Sequence, residues 1–263
     1  MNMNASPHST DGNPFRLDGE TALITGGGSG IGLGIAGCMV ASGARVVLVG
    51  RREDQLARAC AGLGPQASFV SHDITRLDAS GDLMAAVRAT TGSPVTILVN
   101  NAGTHLKKPS ADTTPQEFQS VLATHVLAAH ELTRMAIPDM EKAGRGSVLF
   151  TSSMAAFMGV PLVLAYAAAK SAYFGMVSTL SAEWSSRGIR VNAIAPGWIF
   201  SAMTQKALDS DPARKQKVLS RIQMGRMGQP DDIGWAAVYL SSRAAAYVTG
   251  VTLPVDGGAA AGF

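Results

Sequence analysis

The sequence predicts an α/β fold, a single doubly wound domain built on a parallel sheet of roughly seven strands. Two observations predict it. Short apolar runs alternate with helix-like segments along most of the 263 residues, and a glycine-rich turn follows the first apolar run. Strands this apolar need helices on both faces of their sheet, and a helix after each strand makes neighbouring strands parallel.

The alternation assigns each element in turn. Strands are predicted at 21–25, 45–49, 68–70, 95–99, 147–151 and 190–194. Helices are predicted from about Ile31 and about Glu53, and then near 76–90, 115–141 and 163–186. Right-handed crossovers between these strands give a Rossmann-type fold. Residues 1–14 are polar and are predicted to form a flexible tail, and residues 15–263 the single domain.

Composition narrows the classes of function. Charged residues make up 16% of the chain and apolar residues 46%, which indicates a folded core. The net charge of +3 comes from scattered basic residues, so no nucleic-acid surface is predicted. Cys38 and Cys60 have the spacing of neither a zinc site nor a disulfide framework, and they indicate reduced, intracellular cysteines and no metal.

One uncharged run, at 147–169, is long enough to span a bilayer. Ser152, Gly159 and Pro161 divide it into a short strand, a loop and the start of a helix. This division predicts core elements and no membrane span. The polar N-terminus lacks the apolar segment of a signal peptide, so a cytoplasmic protein is predicted.

The glycine-rich turn, TGGGSGIG at 25–32, lies where the first strand meets the first helix. Glycines there let the backbone approach a pyrophosphate, whose charge is met by the N–H groups at the helix start. A glycine run alone also fits an ordinary flexible loop. Its place in the first βα unit favours a dinucleotide site.

The end of the second strand indicates which dinucleotide binds. An acid there binds the adenosine 2′-hydroxyl, whereas an arginine receives a 2′-phosphate. This chain has Gly50 in the place of the acid, followed by Arg51 and Arg52. The pair favours NADP, with NAD as the alternative. Both arginines also fit solvated charges at a helix start, Arg52 better than Arg51.

The motif YAAAK places Tyr166 and Lys170 four residues apart, on one face of one helix. A neighbouring ammonium favours the phenolate, which turns a side chain of pKa about 10 into an acid/base. Ser153 follows the predicted strand 147–151 at the sheet edge where ligands bind, and its hydroxyl can hold a substrate oxygen. Ser152 is the competing candidate. A half-buried Tyr166 with Lys170 extending past it to solvent is the structural alternative.

Five landmarks in order resemble the short-chain dehydrogenase/reductase family. They are TGGGSGIG at 25–32, NNAG at 100–103, Ser153 with YAAAK, RVNAIAPG at 190–197 and VDGG at 255–258. The similarity extends from about residue 15 to the C-terminus. The first and last segments are similar to gluconate-5-dehydrogenase-like members, and 3-oxoacyl-reductase-like members are the second group.

The resemblance implies a role for each matching residue. Ser153 would orient the substrate oxygen, Tyr166 would be the general acid/base, and Lys170 would lower the tyrosine pKa and bind the nicotinamide ribose. The residues implied in cofactor binding are Gly26, Ser29, Gly30, Ile31, Gly32, Arg51, Arg52, Asp73, Ile74, Asn100, Ala102, Tyr166, Lys170 and Ile199. Ser29 stands where NADP-preferring members often carry a second basic residue.

Two histidines lie in the stretch THVLAAH at 124–130. Residues five apart on a helix point about 140° from each other, so His125 and His130 are not expected to chelate one metal ion. His130 is interpreted as a helix or interface residue. His125 aligns with a family asparagine that holds a water linking the lysine to solvent, and the resemblance implies a catalytic proton-relay position for it.

The resemblance implies that the protein interconverts a carbonyl and a secondary alcohol of a small molecule, with a polyol or sugar acid favoured. A 3-oxoacyl-thioester reductase is the enzymatic alternative, and a low-turnover NADP-binding sensor or scaffold is the alternative from another class. Residues 198–228 resemble the family's substrate lid, and Lys107 and Lys108 either attract a carboxylate or are solvated. By analogy, a homo-oligomer is expected, a tetramer formed through the helices near 115–141 and 163–186.

Overall fold

The computed structural model describes residues 12–201 and 211–262. Its strands are β1 (Thr21–Thr25), β2 (Arg45–Gly50), β3 (Ala67–Ser71), β4 (Ile97–Asn100), β5 (Gly146–Thr151), β6 (Ile189–Pro196) and β7 (Thr252–Val255). They form one parallel sheet in the order β3-β2-β1-β4-β5-β6-β7. The order reverses between β1 and β4, and this reversal opens a crevice at the carboxyl ends of both strands. The predicted fold class is confirmed.

Helices cover both faces of the sheet. They are α1 (Gly30–Ala41), α2 (Glu53–Leu63), α3 (Ser80–Thr91), α4 (Pro115–Leu122), α5 (Ala128–Ala143), α6 (Leu164–Trp184), α7 (Pro212–Arg221) and α8 (Pro230–Ser241). One apolar cluster packs α3, α5 and α6 against one face of the sheet, around Leu83, Leu132 and Tyr173. A second cluster packs α1, α2 and α8 against the other face, around Ile35 and Ile233. The buried sheet therefore presents its strand ends from a rigid support.

The helix predicted near 115–141 is interrupted. A π-helical turn, Ala123–Leu127, separates α4 from α5. A π turn bonds each N–H to a carbonyl five residues back and so inserts one extra residue. Apolar periodicity does not reveal a single inserted residue, and the sequence therefore predicted a continuous helix.

Other predicted bounds are partly corrected. Strand β4 is Ile97–Asn100 rather than 95–99, and β7 with the two preceding helices lies beyond the last predicted strand. The uncharged run 147–169 divides as predicted into a strand, a short 3-10 turn at Met154–Ala156 and the start of a helix. In the ranges 12–201 and 211–262, no helix combines the length and apolarity needed to cross a membrane.

Two predicted segments fall partly outside the described residues. The described residues do not include 1–11 of the predicted tail or 202–210 of the predicted lid. Next to the first gap, the carbonyl oxygen of Pro14 accepts a hydrogen bond of 3.1 Å from the backbone N–H of Ala244. The chain is thus packed against the domain one residue before the predicted boundary.

Candidate active site

The crevice between β1 and β4 widens into a cleft of about 960 Å³. The cleft starts at the glycine-rich turn, passes the carboxyl ends of β4 and β5, and ends at the residues after β6. A smaller inner cavity of about 290 Å³ lies beside it. The four side chains predicted to be catalytic, those of His125, Ser153, Tyr166 and Lys170, line this inner cavity.

The glycine-rich turn allows a ligand to approach its backbone closely. Gly26 and Gly30 have φ angles of +66° and +53°, which L side chains rarely adopt. A Cβ on Gly32 would lie 2.3 Å from the carbonyl oxygen of Gly26. Ser29 precedes α1 without a side-chain capping bond, so the first amides of the helix remain free of that acceptor. The turn therefore fits the pyrophosphate of a dinucleotide.

A threonine and an asparagine tie this turn to the loop after β4. Thr25 Oγ1 accepts hydrogen bonds from the backbone N–H groups of Asn101 and Ala102, both at 3.0 Å. Asn101 Nδ2 donates to the carbonyl oxygen of Thr25 at 2.9 Å. Both loop residues line the cleft. The sequence reasoning missed Asn101, although the doubled asparagine of NNAG was an available signal.

Asn100 lies on the other side of its strand. Its side chain is buried, and Nδ2 donates to Thr133 Oγ1 on α5 at 3.2 Å. It lines neither the cleft nor the inner cavity. Successive side chains of a strand point to opposite faces, so the last residue of β4 faces α5. The Asn100 side chain therefore faces α5, whereas Asn101 lines the cleft, and a contact of Asn100 with the cofactor stays a prediction.

The far end of the cleft carries two arginines. Arg51 and Arg52 are exposed there and line the cleft together with Asp73 and Ile74. Asp73 Oδ1 accepts hydrogen bonds from the N–H and hydroxyl of Thr75 at 3.0 and 2.8 Å, and these bonds lower the pKa of Asp73. The carboxylate is thus engaged within its own turn, whereas no hydrogen bond of either arginine side chain is found among the described residues.

The sequence reasoning also missed His72. This side chain lines the same end of the cleft, and its Nε2 is buried without a hydrogen-bond partner among the described residues. Burial is the main cause of the lowered pKa of His72. Its place directly before Asp73 in SHDIT was the available signal.

The opposite end of the cleft is formed by the first residues of the predicted lid. Ile199 lines the cleft and pairs with Gly228 in an isolated parallel bridge. Beside it, Met154, Val218 and Ile222 form a small apolar cluster. The described part of the lid is therefore packed on the loop after β5.

Ser153 and Ser152 have different partners at the end of β5. Ser152 Oγ is buried and donates to the carbonyl oxygen of Lys170 at 3.0 Å, which ties the strand to α6. Ser153 Oγ accepts from the N–H of Ala155 at 3.1 Å, and its interaction with Tyr166 acts to lower the pKa of the tyrosine. Of the two candidates, Ser153 is the one whose hydroxyl meets the tyrosine.

Burial shifts the pKa of both Tyr166 and Lys170. Lys170 Nζ donates to the carbonyl oxygen of Thr151 and lies 5.6 Å from the centroid of the Tyr166 ring. Burial lowers the pKa of Lys170 to about 7. Burial raises the pKa of Tyr166 above its usual value, and the hydrogen bond with Ser153 opposes this rise. The expected lowering of the tyrosine pKa is not found, because desolvation penalises both charged forms.

His125 lies in the π turn and is buried. Its Nε2 lies 3.1 Å from the backbone nitrogen and 2.8 Å from the carbonyl oxygen of Thr104, so its tautomer decides which of the two it bonds. Burial lowers the pKa of His125 to about 4, so the ring is neutral at pH 7. In this position His125 anchors the loop after β4.

Two further residues fix His125 in place. A Cβ on Gly103 would lie 2.2 Å from His125 Cε1, so only glycine leaves room for the ring. The hydroxyl of Tyr173 donates to the carbonyl oxygen of His125 at 2.7 Å. The Tyr173 ring centroid also lies 5.1 Å from Lys170 Nζ. Tyr173 therefore connects the π turn to α6, a role for which its sequence position gave no signal.

The loop after β4 brings a second imidazole to the site. The rings of His105 and Tyr166 meet edge to face, with centroids 4.8 Å apart, and His125 meets the same tyrosine ring at 5.6 Å. His105 and Lys107 line the cleft, whereas Lys108 is ion-paired with Glu117. The two lysines, treated alike in the sequence, are thus separated by the structure.

The other candidates lie apart from this site. His130 is exposed on α5, where its neighbours Glu131 and Arg134 form an ion pair. Cys38 and Cys60 are free thiols. Among the residues that the structure describes, no three or more His, Cys, Asp or Glu side chains are grouped to hold a metal ion.

Comparison with known proteins finds relatives along most of the chain. A family model described as enoyl-(acyl carrier protein) reductase matches residues 26–260. The 2-dehydro-3-deoxy-D-gluconate 5-dehydrogenase of Bacillus subtilis is 38% identical over 246 residues, which cover 93% of this chain and 96% of that protein. The L-tagatose-forming galactitol 2-dehydrogenase of Cereibacter sphaeroides is 39% identical over 247 residues, which cover 93% and 96%.

A solved structure shows the same fold. A crystal structure from Agrobacterium tumefaciens, provisionally described as a 2-deoxy-D-gluconate 3-dehydrogenase with bound NADP, superposes with a TM-score of 0.87. It is 38% identical, and the superposition covers 95% of this chain and 100% of that one. This chain belongs to the short-chain dehydrogenase/reductase family and is an NAD(P)-dependent oxidoreductase that acts on CH–OH groups.

Proposed function

We propose that the protein interconverts a carbonyl and a secondary alcohol of a polyol or sugar acid, with NADP as cofactor and Tyr166 as general acid/base. The observation that carries the proposal is the meeting of Ser153, Tyr166 and Lys170 in one cavity beside the glycine-lined cleft. The substrate class is supported by the relatives, which are named as dehydrogenases of sugar acids and of a polyol.

The lining of the cleft supplies the residues that would hold the cofactor. They are Gly26, Ser29, Gly30, Ile31, Gly32, Arg51, Arg52, Asp73, Ile74, Asn101, Ala102 and Ile199, with Tyr166 and Lys170 at the inner cavity. When bound, NADP supplies or accepts the hydride. Arg51 and Arg52 support NADP over NAD, because a guanidinium can bind a 2′-phosphate with two charge-assisted hydrogen bonds.

The protein's own groups would orient the substrate and move its proton. Ser153 and Tyr166 line the same inner cavity, and we propose that both hydroxyls bind the substrate oxygen there. In reduction Tyr166 gives its proton to the forming alkoxide, and in oxidation its phenolate takes the proton from the alcohol. Such acid–base catalysis contributes about 10²- to 10⁴-fold in rate.

Lys170 would support the phenolate in its charged form. Its pKa of about 7 means that both protonation states are populated near neutrality. The protonated form stabilises a phenolate 5.6 Å away, measured from Nζ to the ring centroid. His125 belongs to the same proposal as the anchor of the loop that covers this group, with the relay role implied by the family as the alternative.

The same proposal extends to assembly and location. Leu127 and Leu164 expose 48% and 49% of their surface, and they lie in the two helical segments predicted to form an interface. Exposed apolar side chains on such a face support a homo-oligomer, for which the family suggests a tetramer. A cytoplasmic location and one domain over residues 15–263 complete the proposal.

Turnover assays test this function. Purified protein is assayed for NADPH and NADH oxidation with keto-sugar acids, ketoses and 3-oxoacyl thioesters, and for the reverse reaction with polyols and aldonates. We expect turnover in the sugar-acid or polyol arm, and a loss of at least about 100-fold in Tyr166→Phe. The fully exposed Tyr247 gives the control variant Tyr247→Phe.

Three outcomes contradict the proposal. Turnover restricted to thioesters would make the protein an acyl-thioester reductase. NADP binding without turnover in any arm would favour the sensor or scaffold. Full activity in Tyr166→Phe would remove the tyrosine from the mechanism.

A further inference from the structure

We infer that the substrate end of the cleft recognises a carboxylate through Lys107, with His105 beside it, and that the enzyme therefore selects sugar acids over neutral polyols. This inference rests on the proposed function and narrows its substrate class. It assigns the choice between acid and polyol to one short loop, residues 104–108.

The distribution of charge in the cleft is the first argument. Arg51, Arg52 and Asp73 lie at the adenosine end, after β2 and β3. Within the described part of the chain, Lys107 is the one remaining Lys, Arg, Asp or Glu that lines the cleft. Other lining residues, among them Ser120, Thr124, Val160, Trp198 and Phe200, have uncharged side chains. A single positive charge in such surroundings attracts an anionic ligand.

The second argument is the alternation of side chains along the loop. His105 and Lys107 face the cleft. Between them, Leu106 packs in the apolar cluster formed by α4 and α6. Lys108 then turns to the carboxylate of Glu117, with Nζ 2.9 and 3.0 Å from its two oxygens. Alternate side chains of this segment thus lie on opposite sides, so Lys107 lines the cleft whereas Lys108 is held in an ion pair.

The loop is also held in place at both ends. The backbone of Thr104 is bound by His125 Nε2, 3.1 Å from its nitrogen and 2.8 Å from its oxygen. The backbone N–H of Lys108 donates to the carbonyl oxygen of Leu162 at 2.8 Å. A loop fixed in this way loses little conformational entropy when it binds a substrate, which favours selectivity.

Geometry places the charge away from the reacting carbon. The His105 ring is 4.8 Å from the ring of Tyr166, the proposed acid/base. Lys107 lies two residues further along, roughly 7 Å at about 3.3 Å per residue. A carboxylate bound by Lys107 would therefore lie several carbons from the carbon that is oxidised.

Matched substrates test this inference. Oxidation by NADP is measured with aldonates and with the alditols of the same configuration, such as gluconate with glucitol and galactonate with galactitol. We expect the wild type to prefer the aldonate in kcat/KM. Loss of a charge-assisted contact in Lys107→Met should lower the aldonate-to-alditol ratio about tenfold or more, mainly through KM. Lys107→Arg keeps the positive charge and should retain most of the wild-type aldonate-to-alditol ratio. Lys108→Met should leave this ratio unchanged.

Each other outcome overturns a defined part of the reasoning. A wild type that prefers alditols, or a ratio that Lys107→Met does not change, overturns carboxylate recognition while leaving the proposed function intact. If no substrate is turned over, aldonate binding to the NADP-loaded protein is measured by calorimetry. Binding that is lost in Lys107→Met but kept in Lys108→Met supports the inference although the proposed function fails, and undetectable binding overturns it.

Discussion

His125 shows at the scale of a single residue how a family position can take on another contact. The sequence suggested a proton relay, because histidine can hold a water as asparagine does. In the structure, His125 Nε2 lies within hydrogen-bond distance of the Thr104 backbone. Its Nδ1 is buried and has no partner among the described residues. A buried neutral imidazole is therefore part of the fold's stability as well as of the site.

The stability of the fold should record this burial in its pH dependence. The pKa of His125 is about 4 in the folded protein and 6.5 in the unfolded chain. Between these values the unfolded chain binds a proton that the folded protein does not, so stability falls as the pH drops from 6.5 to 4. Over this window the wild type should lose about 3 kcal/mol more than His125→Asn, since one pKa unit corresponds to about 1.4 kcal/mol.

Urea unfolding at pH 7, 5.5 and 4.5 measures this difference. The exposed His130 provides the matched control, because His130→Asn removes a histidine from the same helical region. Parallel stability curves for the wild type and His125→Asn would show that the imidazole is protonated as easily in the folded protein as in the unfolded chain.

The glycine facing this imidazole gives a second prediction at the same scale. Gly103→Ala would bring a Cβ to 2.2 Å from His125 Cε1. We expect this overlap to destabilise the protein by about 1–3 kcal/mol, as overpacking does elsewhere. The double variant Gly103→Ala/His125→Ala removes the overlap. Its loss of unfolding free energy should therefore be smaller than the sum of the losses in the two single variants. Thermal unfolding of all four proteins tests this, and simple additivity would disprove the contact.

Prediction from sequence succeeded where a motif fixes the residue and failed where burial or register decides. YAAAK places Tyr166 and Lys170 on one helical face whatever surrounds them. The direction in which the Tyr166 pKa shifts depends on desolvation, and a sequence motif does not reveal how deeply a side chain is buried. Which of Asn100 and Asn101 lies at the cleft depends on where β4 ends, and strand ends are the least certain part of a sequence-based assignment.

At the scale of elements, the π turn between α4 and α5 connects the loop after β4 to α6. The turn carries His125, and α6 carries Tyr173 and Lys170. Alternation of apolar runs and helices predicted these two elements, but it did not predict the extra residue of the turn. π turns often occur at functional sites, and this one positions an anchoring side chain.

The hydroxyl of Tyr173 should stabilise this connection. Tyr173→Phe removes its hydrogen bond of 2.7 Å to the His125 carbonyl but keeps the ring, which lies 5.0 Å from that of Phe150. Loss of a buried hydrogen bond should cost about 1–2 kcal/mol of unfolding free energy. Denaturant unfolding measures it, with Tyr247→Phe as the exposed control. Equal stabilities in the two variants would contradict a structural role for the hydroxyl.

At the scale of the whole molecule, the cleft joins two halves of one sheet. Its adenosine end is built on β1, β2 and β3, and its reacting end on β4, β5 and β6. This strand order is that of a doubly wound fold with right-handed crossovers, which is the fold class that the sequence predicted. The packing of the final strand and helices was not predicted, because their apolar pattern is short and follows the variable lid segment.

A ligand that contacts both halves of the sheet should stabilise the entire domain. Binding to the folded state alone raises stability with ligand concentration divided by Kd, and each tenfold difference in Kd is worth about 1.4 kcal/mol. Arg51 faces the end of the cleft where the two cofactors differ. Saturating NADP should therefore raise the Tm more than NAD does, and Arg51→Ser should narrow this difference.

Arg58 is exposed on α2, is paired with Asp54 and does not line the cleft, so Arg58→Ser is the control. Equal Tm shifts by the two cofactors in the wild type would assign the protein to NAD as readily as to NADP. A difference that survives Arg51→Ser would place the discrimination on Arg52 or on the backbone of the glycine-rich turn, since those groups also line the cleft.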